Sequence, residues 1–251
     1  MTTAFGTAYF GVRDPDHARA DLLAMAASGY GWVLLPMTQD DAVWEGSTFR
    51  LLVDLARDAG LEPIVSLWGG DDFGGEGIAG PLSVADWIER ARDTGATKLH
   101  VDEPKGRRAT IEEVLDRWAG PAWLTVEPHR VEIITAVARD RVQVLGTDAY
   151  AGSLEERLTA TRTFASVTSR LDLAWVQAFR IAAGDEPAVG GAVRAMAGLA
   201  PRVGIWAFKG ATGRGDLRSA NPELVEAAVV AAIADVQAGR AAAPITPVPP
   251  A

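Results

Sequence analysis

The chain has 251 residues, 48% of them hydrophobic and 23% charged, with a formal net charge of −9 and no cysteine. Length and composition fit one large α/β domain with a sizeable core. The acidic balance sets aside nucleic-acid and anionic-membrane partners, which need a basic face, and the missing thiols exclude disulfides, thiolate metal sites and cysteine nucleophiles.

In chain order, the first strand-like run is 8–12, and Asp14-Pro15 after it places an N-cap before a proline at the first helical position. Further β-like runs follow at 31–38, 62–68, 97–103, 122–127, 142–148, 174–180 and 203–209, with helical spacing between them. Thr110-x-x-Glu113 and Ser153-x-x-Glu156 read as capping boxes, and Asn221-Pro222 reads as the start of the last helix. Gly29, Gly60, Gly95 and Gly120 stand where helices end. The glycine-rich stretch 69–80 after the third run reads as a surface loop or a substrate-lining lid. The apolar stretch 225–236 carries Glu226 and Asp235 and falls short of the ~20 apolar residues that span a membrane. Residues 1–6 show no basic run followed by an apolar one, so a cytoplasmic protein without a signal peptide is expected.

Strict alternation of eight β-runs with eight helical segments predicts parallel strands joined by right-handed crossovers. At this length the expected fold is a single-domain (β/α)8 TIM barrel over 1–240, with a disordered Pro/Ala-rich tail at 241–251. A doubly wound sheet is disfavoured because the turn after the first run, Phe10-Gly11-Val12-Arg13-Asp14-Pro15, offers no phosphate cradle.

The fourth, fifth and sixth runs end in acids: Asp102 and Glu103, then Glu127, then Asp148. In a barrel the C-terminal strand ends share one face, and side chains alternate between the interior and the helix layer. With Leu99, Val101, Leu124 and Val126 facing the helices, His100, Asp102, Trp123, Thr125 and Glu127 face inward, as do Gly146 and Asp148. The predicted mouth thus holds Asp102, Glu103, Glu127 and Asp148, with Trp68, Tyr150 and Trp206 around them and His100, His129, Gln177 and Arg180 as hydrogen-bonding groups. Indole faces stack on sugar C–H groups, carboxylates bind hydroxyls, and crowded carboxyls push each other's pKa values apart, giving the acid and the base that glycosidic cleavage needs. Trp32, Trp87, Trp118 and Trp175 are expected in packing.

Asp102-Glu103-Pro104 resembles the Asn-Glu-Pro at the end of the fourth strand in the large clan of retaining (β/α)8 glycoside hydrolases, and Trp206 resembles the aromatic that floors their sugar subsite. The resemblance implies Glu103 as acid/base. It departs from the clan in two places: Asp102 replaces Asn, and Gln177 or Phe179 stands where the nucleophilic Glu ends the seventh strand. Glu127 or Asp148 would then serve as nucleophile or as base to water. A chitinase-type pattern is echoed more loosely by His100-x-Asp102-Glu103 and Tyr150.

The expected function is therefore glycosidic hydrolysis by strand-end carboxylates on a carbohydrate substrate, with no cofactor or resident metal required. Two alternatives stay open. One is a metal-assisted lyase, isomerase or aldolase, with Gly210-Ala211-Thr212-Gly213-Arg214-Gly215 and Lys209 holding a phosphate. The other is a non-catalytic sugar-binding barrel. The sugar, the linkage, the stereochemistry and the oligomeric state are not legible.

Overall fold

A computed structural model describes residues 3–10, 14–38, 41–42, 46–69, 73, 82–104, 108–134, 136–211 and 217–239. Its elements are β1 (Ala4–Ala8), α1 (Pro15–Ala27), β2 (Trp32–Met37), α2 (Gly46–Asp58), β3 (Glu62–Leu67), α3 (Val84–Asp93), β4 (Leu99–Asp102) and α4 (Arg108–Arg117). They continue as β5 (Ala122–Thr125), α5 (Ala136–Arg141), β6 (Val144–Thr147), α6 (Leu154–Thr168), β7 (Leu173–Gln177), α7 (Glu186–Ala197), β8 (Arg202–Trp206) and α8 (Pro222–Gln237). Short 3-10 turns occupy Pro128–Ile133 and Phe208–Gly210.

All eight strands pair in parallel with their sequence neighbours, and β8 pairs with β1 to close the barrel. The stagger is that of a TIM barrel. Passing from partner to partner around the sheet requires a step of four residues on β3 (Glu62 to Ser66), two on β6 (Val144 to Gly146) and two on β7 (Leu173 to Trp175). The path then closes on Gly6 with a shear of eight. The expected single barrel is thus what the chain forms, while the tail 241–251 and most of the loop 69–80 lie outside the described residues.

The core is double. The outer layer joins Leu99, Val101, Leu124 and Val126 to the helices, and the inner cluster fills the barrel with Trp32, Trp123, Trp175, Leu34, Ile64, Val144 and Leu173. The Trp32 ring meets Trp123 at 5.1 Å and Trp175 at 5.6 Å, both edge to face. Glycines make room for them. A Cβ on Gly6 would lie 1.9 Å from the Trp32 ring, and one on Gly204 2.3 Å from that of Trp175; the two glycines are partners on β1 and β8. Trp87 packs against Phe73 in the helix layer.

Three local expectations are corrected. The first strand is Ala4–Ala8 rather than 8–12: pairing with β2 and β8 ends at Ala8, so the apolar Tyr9 and Phe10 lie past the ladder. Thr110 sits inside α4 rather than ahead of its first turn. Asn221 gives no side-chain cap to α8, because its amide donates to Glu186 Oε1 at 2.6 Å and ties α8 to α7. Asp14 and Ser153 do cap, Asp14 Oδ1 accepting from His17 N at 2.8 Å. No helix among the described residues is long and apolar enough to cross a membrane.

Candidate active site

The acids converge because β4, β5 and β6 are neighbours and their inward positions point to one mouth. Asp102 is the last inward residue of β4, two beyond His100. Glu103 follows it directly and, on a regular strand, would face the helices. Its backbone instead enters the left-handed region (φ 36°), and its amide donates to Thr125 O at 3.0 Å. That turn, sparsely populated for residues with a Cβ, brings Glu103 back to the mouth, where its carboxyl is close enough to that of Asp148 to perturb it. Glu127, half-buried beyond β5, opens the Pro128–Ile133 turn; its Oε2 lies 2.9 Å from Arg130 Nε and 3.8 Å from His129 Nε2.

Two crowded carboxyl groups disfavour each other's anions, and the more buried one is the one pushed up. Asp148 is the buried partner, at 5% exposure, and its Oδ1 has no hydrogen-bond partner, an arrangement that disfavours its anion. Burial first, then the neighbouring Glu103 carboxyl and the charges of Asp102 and Glu127, push the Asp148 carboxyl well above the usual carboxylate range. Asp102 is pushed up by burial and by the charges of Glu103 and Glu127. Tyr150, half-buried above Asp148, is also raised, first by burial and then by Asp148, Asp102 and Glu103, against the opposing pull of Arg157. The mouth therefore favours the neutral form of Asp148, sets Glu103 beside it and presents Glu127 paired with a guanidinium.

Aromatic rings wall this pit. Phe10 stands edge-on to Trp68 at 5.2 Å and to Trp206 at 5.3 Å, and Tyr150 meets Phe179 at 5.5 Å. Trp68 and Trp206 belong to the inner cluster, while Phe10, Tyr150 and Phe179 are partly exposed on top of it. Phe10 and Arg130 escaped the sequence reading. Phe10 has the parity of Gly6 and Ala8 on β1, and Arg130 follows Glu127 by three residues, the spacing that brings side chains together in a helical turn.

The remaining expected groups are placed differently. His100 is fully buried beneath the mouth, with Nδ1 2.8 Å from Ser66 Oγ and Nε2 2.7 Å from Thr125 Oγ1. Thr125 Oγ1 also accepts from Trp175 Nε1 at 2.9 Å, so both ring nitrogens serve the barrel interior rather than a substrate. Burial lowers the His100 pKa to about 3, which keeps the ring neutral. Gln177 is half-buried at the end of β7 and donates to Phe179 O at 3.1 Å. His129 is exposed on the rim, and Arg180 is exposed in a left-handed turn (φ 54°) tied by its amide to Leu217 O.

The phosphate expectation finds no support among the described residues. Lys209 Nζ is 3.2 Å from Asp21, and the amides of Gly210 and Ala211 already donate to Ala207 O and Phe208 O. Residues 212–215, Arg214 among them, lie outside the described residues. No group of three or more His, Asp or Glu side chains among the described residues is placed to hold a metal ion.

No family model matches the chain, and no curated protein matches it. Solved structures do. A GH5_18 protein from Streptomyces cattleya in complex with GlcNAc aligns with a TM-score of 0.68 at 14% identity, over 99% of this chain and 82% of its own. The chain shares the fold of (β/α)8 glycoside hydrolases. A GH113 β-mannanase from Alicyclobacillus acidocaldarius in complex with ManMIm aligns at 0.61 and 16% identity, over 94% of this chain and 97% of its own. A DAHP synthase, an aldolase from Thermotoga maritima, aligns at 0.61 and 9%, over 95% and 69%, so the likeness is one of architecture and chemistry rests on the mouth itself.

Proposed function

We propose that the chain is a glycoside hydrolase in which Glu103, set beside the buried Asp148, delivers the proton. The observation that carries this reading is the crowding of Glu103, Asp102 and Glu127 around the buried Asp148, with Glu127 paired to Arg130. Glycosidic cleavage needs a protonated carboxyl at the leaving oxygen and an anionic one facing the anomeric carbon. Glu103 is the more accessible of the two neighbouring carboxyls and passes a proton to the departing oxygen as the C–O bond breaks. Glu127 supplies the anion, as nucleophile or as base to the attacking water. Asp102 binds a hydroxyl, and Trp68, Phe10 and Trp206 form the apolar wall for the ring.

Short β-linked manno-oligosaccharides are the substrates to test first, because such sugars are what the mannanase neighbour is named for. With mannobiose, Glu103→Gln is expected to lower kcat by about 10²–10⁴-fold, the range for losing a general acid, with an unchanged circular dichroism spectrum. Wild-type turnover in that variant removes Glu103 from the role. Intact sugar after long incubation, with binding measurable by calorimetry, turns the reading into a sugar-binding barrel.

A further inference from the structure

Three consecutive residues behind the mouth have left-handed backbone: Lys209 (φ 46°), Gly210 (φ 58°) and Ala211 (φ 57°). Two of them carry a Cβ, and residues with a Cβ stay in this region only where their surroundings hold them. The turn follows Trp206 after Ala207 and Phe208, and Ala207, Ala211 and Leu217 pack with Trp206 in the inner cluster. Whatever fixes the turn therefore fixes the seat of that indole.

The fixing groups come from the helices on either side. From α1, Asp21 Oδ1 lies 3.2 Å from Lys209 Nζ, while its Oδ2 accepts from the Tyr9 hydroxyl at 3.0 Å and lies 3.5 Å from His17 Nε2. From α8, Glu226 Oε2 accepts the Lys209 backbone N–H at 3.3 Å, and Oε1 accepts the Tyr30 hydroxyl at 3.3 Å. Phe208 is wedged edge-on between Tyr9 and Tyr30, with ring centres 6.3 and 6.5 Å away. None of these groups has a part in the proposed chemistry.

We propose that Glu226, acting through Lys209, is a positioning residue for Trp206: its ionised carboxylate, together with Asp21, holds the left-handed turn behind the indole, and its protonation loosens that hold. The significance for sugar binding rests on the reading of Trp206 as a wall of the sugar site; the coupling between Glu226 and Trp206 does not. An ionised carboxylate makes charge-assisted bonds to the Lys209 amide and the Tyr30 hydroxyl, roughly twice as strong as those of a neutral carboxyl. The charged and titratable groups facing Glu226 are Tyr30 ahead of β2, Lys209 on the turn and Glu223 on α8; Asp21 and His17 on α1 are reached through Lys209. Burial pushes the Glu226 carboxyl up to about 7, against the bonds from the Lys209 amide and Tyr30 and the Lys209 charge, with Glu223 adding to the rise. The turn is thus expected to tighten as pH rises through about 7. Global stability moves the other way, because a carboxyl raised on folding contributes stability that is lost as pH rises through its folded value.

The test labels the full chain with 5-fluorotryptophan and assigns the Trp206 fluorine signal from its loss in Trp206→Phe. Between pH values roughly 1.5 units either side of 7, a span that covers nearly all of one carboxyl's titration, the wild-type signal is expected to shift with a midpoint near 7. It stays still in Glu226→Gln, whose carbonyl oxygen can still accept the Lys209 amide and whose NH2 can donate to the Tyr30 hydroxyl, but which cannot ionise. In Lys209→Met the midpoint rises, since the cation is gone. A Trp206 signal that does not titrate in the wild type, or that titrates alike in Glu226→Gln, overturns the proposal. A titrating signal without mannobiose hydrolysis supports the coupling and removes only the glycosidase reading. Where hydrolysis is found, the ratio of wild-type KM to that of Glu226→Gln is expected to fall across the same window by about threefold while the corresponding ratio of kcat stays within about twofold, since both proteins share the pH dependence of the catalytic carboxyls.

Discussion

A proton stored on Asp148 ties the stability of the barrel to pH. Its carboxyl is raised by burial and by the neighbouring Glu103, so the folded state binds that proton more tightly than the unfolded chain does. The stability it contributes is complete below the ordinary carboxylate range and is lost as pH rises through the folded value. Asp148→Asn removes the titration and keeps a neutral group beside Glu103. The expected result is a melting temperature that exceeds the wild type's at about pH 9 and converges with it at about pH 2.5, where the wild-type carboxyl is protonated in both states. An unchanged difference across that range, followed by circular dichroism, refutes the stored proton. At this scale the sequence revealed which acids meet, because Asp102, Glu127 and Asp148 follow strand alternation. It concealed Glu103's route to them, since a left-handed residue inside an apparent strand leaves no pattern in composition. His100 shows the converse: its inward parity was legible, but its depth was not. Parity gives the side of the sheet, whereas only the register of β3, β4 and β5 puts Ser66 and Thr125 on the two nitrogens.

Elements were recoverable where a buried strand is a short apolar run between turn signals, as for β2 to β8, and where a helix start carries its own chemistry, as for Asp14 and Ser153. β1 was displaced because its pairing depends on Gly6, whose role is steric. The absent side chain is the space that the Trp32 indole fills, a contact between chain positions 26 residues apart that no local pattern contains. Gly6→Ala places a Cβ in that ring and is expected to destabilise the fold by about 1–3 kcal/mol, the usual range for overpacking a filled core. The double variant Gly6→Ala, Trp32→Leu is expected to lose less than the sum of the two single changes, because the clash disappears with the ring. Urea midpoints measure both; strict additivity would show that Gly6 and Trp32 do not compete for the same space.

The whole molecule divides its labour between the two ends of the barrel. The acids and the exposed aromatics occupy the C-terminal strand ends, while the opposite end is tied by Arg170, which lies between α6 and β7. Its guanidinium donates to Arg139 O at 2.7 Å, Val142 O at 3.1 Å and Gln143 O at 2.6 Å, and pairs with Asp172, whose Oδ2 also accepts the Leu145 amide at 2.9 Å. One side chain thus fastens the end of α5 and the start of β6 to the start of β7. Those carbonyls sit at the bottom of the same strands whose upper ends carry Asp148 and Gln177. In a TIM barrel the lower face serves stability and the upper face chemistry. Arg170→Met keeps much of the stem's packing and removes the donors. The half-exposed setting discounts each lost bond, so about 2–3 kcal/mol in total is expected, a fall of roughly 4–12 °C in melting temperature for a domain of this size. Turnover of mannobiose at 25 °C, well below that transition, stays within about twofold of wild type, since no group of the mouth bonds to Arg170 and the lower face of such a barrel serves stability. Activity lost in step with the melting temperature, while circular dichroism at 25 °C remains native, would mean that the two ends are mechanically coupled and that the lower face has a share in the chemistry.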